Sequence, residues 1–87
     1  MMNTFNLTIS SPDGEIFSDN ILKIVLRGAG GDLAIMAGHI PFITTVQKGI
    51  CKITLSDSEE KSAEIESGLL TVSNEKTTLL TGNLKWI

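Results

Sequence analysis

His39 is the only histidine and Cys51 the only cysteine of this 87-residue chain, and the histidine stands in GAGGDLAIMAGHIPFI (residues 28–43) among half of the eight glycines. Several chemistries could use such residues. An imidazole acting as general base needs a nucleophile to activate and usually a third group to orient it. Serines and threonines are plentiful here, but strands and turns favour those types in any β-rich chain. A zinc site needs three or four ligands, and one His with one Cys falls short. Cys51 lies in the alternating run ICKITL, where a small core residue is the ordinary reading. Glu59, Glu60, Glu64 and Glu66 read as a solvated hairpin. The expectation is therefore no catalytic, metal or cofactor-binding residues, and a chain that is not an enzyme.

A phosphate loop fits no better. ILKIVLRGAGGD is a strand followed by glycines, and Gly28 and Gly30 have the spacing of a dinucleotide fingerprint. The third glycine is replaced by Leu33, and Pro41 with the β-branched residues after it denies the loop a helix. Without a helix N-terminus there is no cluster of free N–H groups to hold pyrophosphate.

A shaped contact surface remains. Gly38 before His39 permits an unusual backbone angle, while Pro41 fixes its own φ and keeps Ile40 extended. A histidine held this way projects from a stiff loop beside Met36, Ile40 and Phe42, and little conformational entropy is lost when such a loop docks. A buried histidine bonded to a backbone carbonyl at a sheet edge is the other reading, and the two are compatible.

The elements that would position this loop are strands. Phe5, Leu7 and Ile9 alternate with Asn6, Thr8 and Ser10; Pro12-Asp13-Gly14 makes a bend; Glu15–Ser18 is a short strand. ILKIVLR places Leu22, Ile24 and Leu26 on one face and Ile21, Val25, Lys23 and Arg27 on the other, a mixed face that is partly covered. DLAIM, PFITTVQ, ICKITLS, the weaker SAEIES, LLTVS and TTLLT follow, separated at Lys48-Gly49, DSEEK and Asn74-Glu75-Lys76. Helix is supported only weakly, over DSEEKSAEIE. Eight to ten short strands at turn spacings near ten residues predict an all-β, flattened β-sandwich, a single domain over residues 1–87.

The totals set bounds. A chain this small buries about 60–65% of its unfolded surface and has little room for an enclosed cavity. A net charge of −3, with scattered Lys and Arg, argues against nucleic-acid binding. A lone cysteine excludes a disulfide framework, so the domain relies on its core or on a partner. MMNTFNLTISSPDG has no basic start and no long apolar run, which predicts no signal peptide. No stretch approaches the roughly 20 apolar residues of a membrane span. A cytosolic protein, or a peripheral piece on the cytosolic side of a membrane, is expected.

GDLAIMAGHIPFITTVQKGICKI is very similar to the segment G-[DE]-L-G-I-x-x-G-H-x-P-L-[LIV]-T-x-[LIV]-x-x-G-x-[LIV]-x-[LIV] of the epsilon subunits of F-type ATP synthases. LTISSPDGEIFSDNILKIVLRG resembles that family's opening strands, with Phe17-Ser18 after the first turn, and ESGLLTVSNEKTTLLTG resembles its later strand pair. The resemblance covers residues 4 to 82. Ala34 stands where the family has a small glycine, and Ala37 where a proline is common. The family usually carries a helical hairpin after the sandwich, and these 87 residues stop at NLKWI, either because the subunit lacks one, as some members do, or because this is its first domain; in either case the inhibition and ATP sensing attributed to the hairpin cannot reside here.

The resemblance implies a ten-stranded flattened β-sandwich in the central stalk, a non-catalytic rotor subunit clamping the gamma subunit to the c-ring, with membrane contact only through that complex on the cytoplasmic face of the membrane. It places Asp32, Met36, Gly38, His39, Ile40 and Pro41 near the ring loops and the foot of gamma, with Phe42 and Thr44 continuing this edge toward gamma. A free-standing β-sandwich adaptor using Gly38-His39-Ile40-Pro41 is one alternative. A small hydrolase or ligand carrier using His39 is another.

Overall fold

Wherever the sequence alternates, the backbone is extended. The computed structural model describes residues 3–38, 40–74 and 76–87. Ten strands follow one another: β1 (Phe5–Ser11), β2 (Gly14–Ile21), β3 (Lys23–Gly28), β4 (Gly31–Met36), β5 (Phe42–Val46), β6 (Gly49–Ser56), β7 (Glu59–Ile65), β8 (Gly68–Val72), β9 (Lys76–Thr81) and β10 (Leu84–Trp86). The weak helical option over DSEEKSAEIE is settled against helix. Only Asp57 and Ser58 turn; Glu59, Glu60 and Glu64 belong to β7, which ends before Glu66. β10 is an addition that the sequence pattern did not reveal.

One continuous ladder, β10-β7-β6-β3-β5-β8-β9-β1-β2, with β4 on the other side of β3, folds over on itself. The fold occurs where β3 passes to β5, because the two share a single paired position, Gly28 with Val46. A Cβ on Gly28 would stand 2.7 Å from Leu33 Cδ1, so a larger residue at this corner would have to displace the Leu33 side chain. The result is two layers: β4, β3, β6, β7 and β10 in one, β5, β8, β9, β1 and β2 in the other. Hairpins within a layer join β1 to β2, β3 to β4, β6 to β7 and β8 to β9, and the other connections are short crossovers between layers. Thr81 sits between two of those crossovers, its single hydroxyl proton within reach of the Asn83 carbonyl at 3.1 Å and the Ser67 carbonyl at 3.3 Å. β1 runs parallel to β9, which joins the start of the chain to its late strands.

The core between the layers comes from alternate residues of both. Leu7, Ile9, Ile21, Ile24, Leu26, Ile35, Ile53, Leu70 and Leu79 are among its fully buried side chains. Both Ile21 and Ile24 face inward because the strand breaks at Leu22, whose N–H donates to the Thr54 carbonyl at 2.7 Å. The expected second face of ILKIVLR is therefore shorter than the alternation alone implied, with Val25 half-buried on it.

The two end strands, β2 and β10, share no backbone ladder. Trp86 pairs in register with buried Ala63 and so points toward the core, where its ring meets Phe17 of β2 at 5.9 Å between centroids. Lys61 Nζ lies 5.4 Å from the same ring centroid. This aromatic contact closes one side of the sandwich.

Candidate protein-docking site

The rim predicted from the sequence lies between the two layers, on the side opposite the aromatic closure. β4 ends at Met36, the chain turns through Ala37 and Gly38, and β5 begins at Phe42. Gly38 has φ +84°, a left-handed angle that side chains with a Cβ rarely adopt. His39 lies outside the described residues. Ile40 is 78% exposed and Met36 55% exposed. Pro41 is exposed as well. Asp32 points away from the core on β4, beside Arg27, with 3.6 Å between Arg27 Nε and its carboxylate. An ion pair so open to water stabilises by ~0–1 kcal/mol.

Phe42 and Thr44 take the other side of β5. Their strand alternates inward and outward, with Val46 buried, so both are half-buried and Phe42 packs against the core. The outward positions are Thr45 and Ile43, the latter 68% exposed. Ile43 was missed in the sequence, although the parity set by Val46 is a signal that finds it.

From Ile43 an unusual surface opens. Register places Ile43 beside Thr71, Thr71 beside Thr78 and Thr78 beside Thr8, while Thr45 neighbours Leu69, then Leu80, then Ser10. The outer face of β5, β8, β9, β1 and β2 is thus hydroxyl-bearing and aliphatic. Among its described residues, charge stands only at the margins, on Lys76 and Glu15. An open depression of about 670 Å³ lies at one end, lined among others by Pro12, Val46, Leu69 and Leu80.

The outer face of the other layer is different in kind. It carries Lys23, Arg27, Asp32, Lys52, Glu60, Glu64 and Lys85, with Glu64 of β7 between Ile50 of β6 and Lys85 of β10. Interspersed charges of both signs keep a surface solvated. One outer face is charged and the other is not.

Among the described residues, nothing in the geometry assembles a reaction centre. Among the described residues no group of three or more His, Cys, Asp or Glu is placed to hold a metal ion, and no helix is long and apolar enough to cross a membrane. Cys51 is buried, and burial pushes its thiol up to about 11, away from the nucleophilic thiolate.

Comparison with known proteins gives one consistent answer. Residues 4–87 match the family model for the ATP synthase, Delta/Epsilon chain, beta-sandwich domain. The chain is 37% identical over 86 residues to the sodium ion specific ATP synthase epsilon chain of Acetobacterium woodii. That match takes in 99% of this chain and 65% of the relative's length. Among solved structures, one from the Euglena gracilis mitochondrial ATP synthase (OSCP/F1/c-ring in rotational state 1) superimposes with a TM-score of 0.89 at 18% identity, over 99% of this chain and 56% of that one. Another, from the Tetrahymena thermophila mitochondrial ATP synthase central stalk and c-ring, gives 0.80 at 13% identity, over 95% of this chain and 66% of that one. At such identities the likeness is one of fold.

Proposed function

This chain belongs to the family of ATP synthase delta/epsilon chain β-sandwich domains, and from that premise we propose that it is the sandwich of a non-catalytic central-stalk subunit that clamps the gamma subunit to the c-ring. Ion flow through the ring would then turn the shaft through packed protein contacts. The whole stretch from residue 1 to 87 acts as one unit, held to the cytoplasmic face of the membrane only through its partners. Asp32, Met36, Gly38, His39, Ile40 and Pro41 form the rim near the ring loops and the foot of gamma. Phe42 and Thr44 brace that rim from within, and Ile43 carries it onto the contact face.

The observation that carries this reading is the uncharged outer face continuous with the rim. Torque requires an interface that does not slip, and few scattered ion pairs can supply it. A stable complex buries on the order of 800 Å² on each partner, and this body measures 34 × 26 × 25 Å, so one broad face suffices. Such a face has no other evident reason to lack charge over so many strands.

The test is direct. The purified chain mixed with a folded gamma subunit should co-elute as one species, and His39→Ala should weaken that association. A folded gamma subunit that never co-elutes would instead favour the free-standing adaptor, and hydrolytic activity lost with His39 would favour an enzyme.

A further inference from the structure

β4 is an edge strand, and its backbone direction is fixed by a bond on the far side of its neighbour. Gln47 N–H donates to the Arg27 carbonyl at 2.8 Å, so the peptide groups of Arg27 point toward β5, away from β4. In an antiparallel pair this alternates residue by residue. Leu26 and Ile24 therefore face β4, and their register partners Leu33 and Ile35 face back. The N–H and C=O groups of Asp32, Ala34 and Met36 are then turned outward, with no strand beyond them.

Natural sheets guard their edges with shortness, bulges, lysine, proline or a covering side chain. β10 has 3 residues, and the β2–β10 side is covered by Trp86 on Phe17. On β4 the one such guard is the charge of Asp32, near its start. Its 6 residues contain no proline and no lysine, and its register with β3 runs unbroken from Met36 to Gly31. The centre of the edge is Ala34, small enough to let another backbone lie close. Beyond one end stand Met36, Ile40 and Ile43, all exposed.

We propose that β4 receives an extended segment of the gamma subunit as an added strand, so that docking is sealed by main-chain hydrogen bonds as well as by side-chain packing. The inference rests on the docking reading above and adds its mechanism. Strand addition takes affinity from the backbone and specificity from alternate side chains. The incoming segment carries a Lys or Arg opposite Asp32, whose side chain is 72% exposed, and an apolar residue over Ala34 that continues onto Met36. A second copy of this chain is a poorer occupant, because β4 on β4 would prolong the charged layer and leave Ile40 and Ile43 bare.

Amide hydrogen exchange on the free chain and on its complex with the shaft subunit reads this out. In the free chain, the Asp32, Ala34 and Met36 amides should exchange at least about 100-fold faster than those of Leu33 and Ile35; in the complex they should slow by a similar factor. Ala34→Pro removes an outward N–H that serves no internal bond, the one kind of strand position where proline is tolerated. It should weaken the complex about tenfold or more while Ala34→Ser does not. If Ala34→Pro does not fold, the exchange pattern of the unaltered chain decides alone. A complex that forms with those three amides still open overturns strand addition and leaves the docking reading standing. Absence of any complex with a folded shaft subunit overturns both. Protection that appears in the free chain with rising concentration assigns the edge to self-pairing and overturns the proposal.

Discussion

Cys51 shows how a residue with reactive chemistry is disarmed by position. It is fully buried on β6, opposite Ala63, and desolvation holds its thiol neutral up to about pH 11 from an ordinary value of 9.0. The folded state therefore binds this proton more tightly than the unfolded one. Its contribution is fully present below pH 9.0 and is lost as pH rises toward 11. Thermal unfolding followed between neutral and strongly alkaline pH should fall more steeply in the wild type than in Cys51→Ala above pH 9.0. Equal slopes would show that another group controls alkaline stability. The alternation of ICKITL made this burial legible in advance. The backbone at Gly38 was legible too, since a glycine there permits an unusual angle and its φ is +84°. The sides taken by Phe42 and Thr44 were not read, because apolar and β-branched residues occupy both faces of PFITTV and hydrophobicity alone does not choose between them.

At the level of strands, the contrast between β1 and β10 explains what pattern reading can reach. β1 spans 7 residues with clean alternation, enough to declare its period. β10 spans 3, too few for any period to show, and its existence depends on pairing with β7 rather than on its own propensity. Yet β10 brings Trp86 onto Phe17 and thereby joins the two ends of the ladder. An aromatic pair contributes about 0.5–1.5 kcal/mol beyond area burial, and an exposed cation–π contact such as that of Lys61 about 0.5–1 kcal/mol. Trp86→Ala should therefore lower stability by about 1–3 kcal/mol in denaturant unfolding, and should raise exchange at β2 and β10 amides while leaving β8 and β9 protected. If the loss is uniform over all strands, the aromatic contact is not a local closure and the sandwich is held shut elsewhere. Phe17→Leu keeps apolar bulk without the ring contact and should give a smaller loss with the same pattern.

For the whole molecule the decisive property is the division of its two outer faces by charge, and no stretch of sequence displays it. Ile43, Leu69 and Leu80 lie far apart in the chain and each looks like a core residue where it stands. They become one exposed surface only when β5, β8 and β9 pair, whereas the charged residues of β3, β6, β7 and β10 gather on the other side. Two consequences follow for the proposed association with gamma. Contact through an uncharged surface is barely screened by salt, because the Debye length acts on charges: ~10 Å at about 0.1 M and ~3 Å at about 1 M. The affinity should therefore change little between those ionic strengths, in contrast to an interface built on Lys52, Glu60 and Glu64. Placing a charge on the apolar face should be costly, since it is desolvated without a partner on docking. Leu69→Lys should leave the free chain folded, its side chain being exposed, and should weaken the complex by about 100-fold or more, on the order of 3 kcal/mol. Lys52→Glu on the opposite face should leave binding within a few fold. Isothermal titration with the gamma subunit at low and high salt measures all of these. A steep loss of affinity with salt in the wild type, or a Lys52→Glu variant weaker than Leu69→Lys, would assign docking to the charged layer.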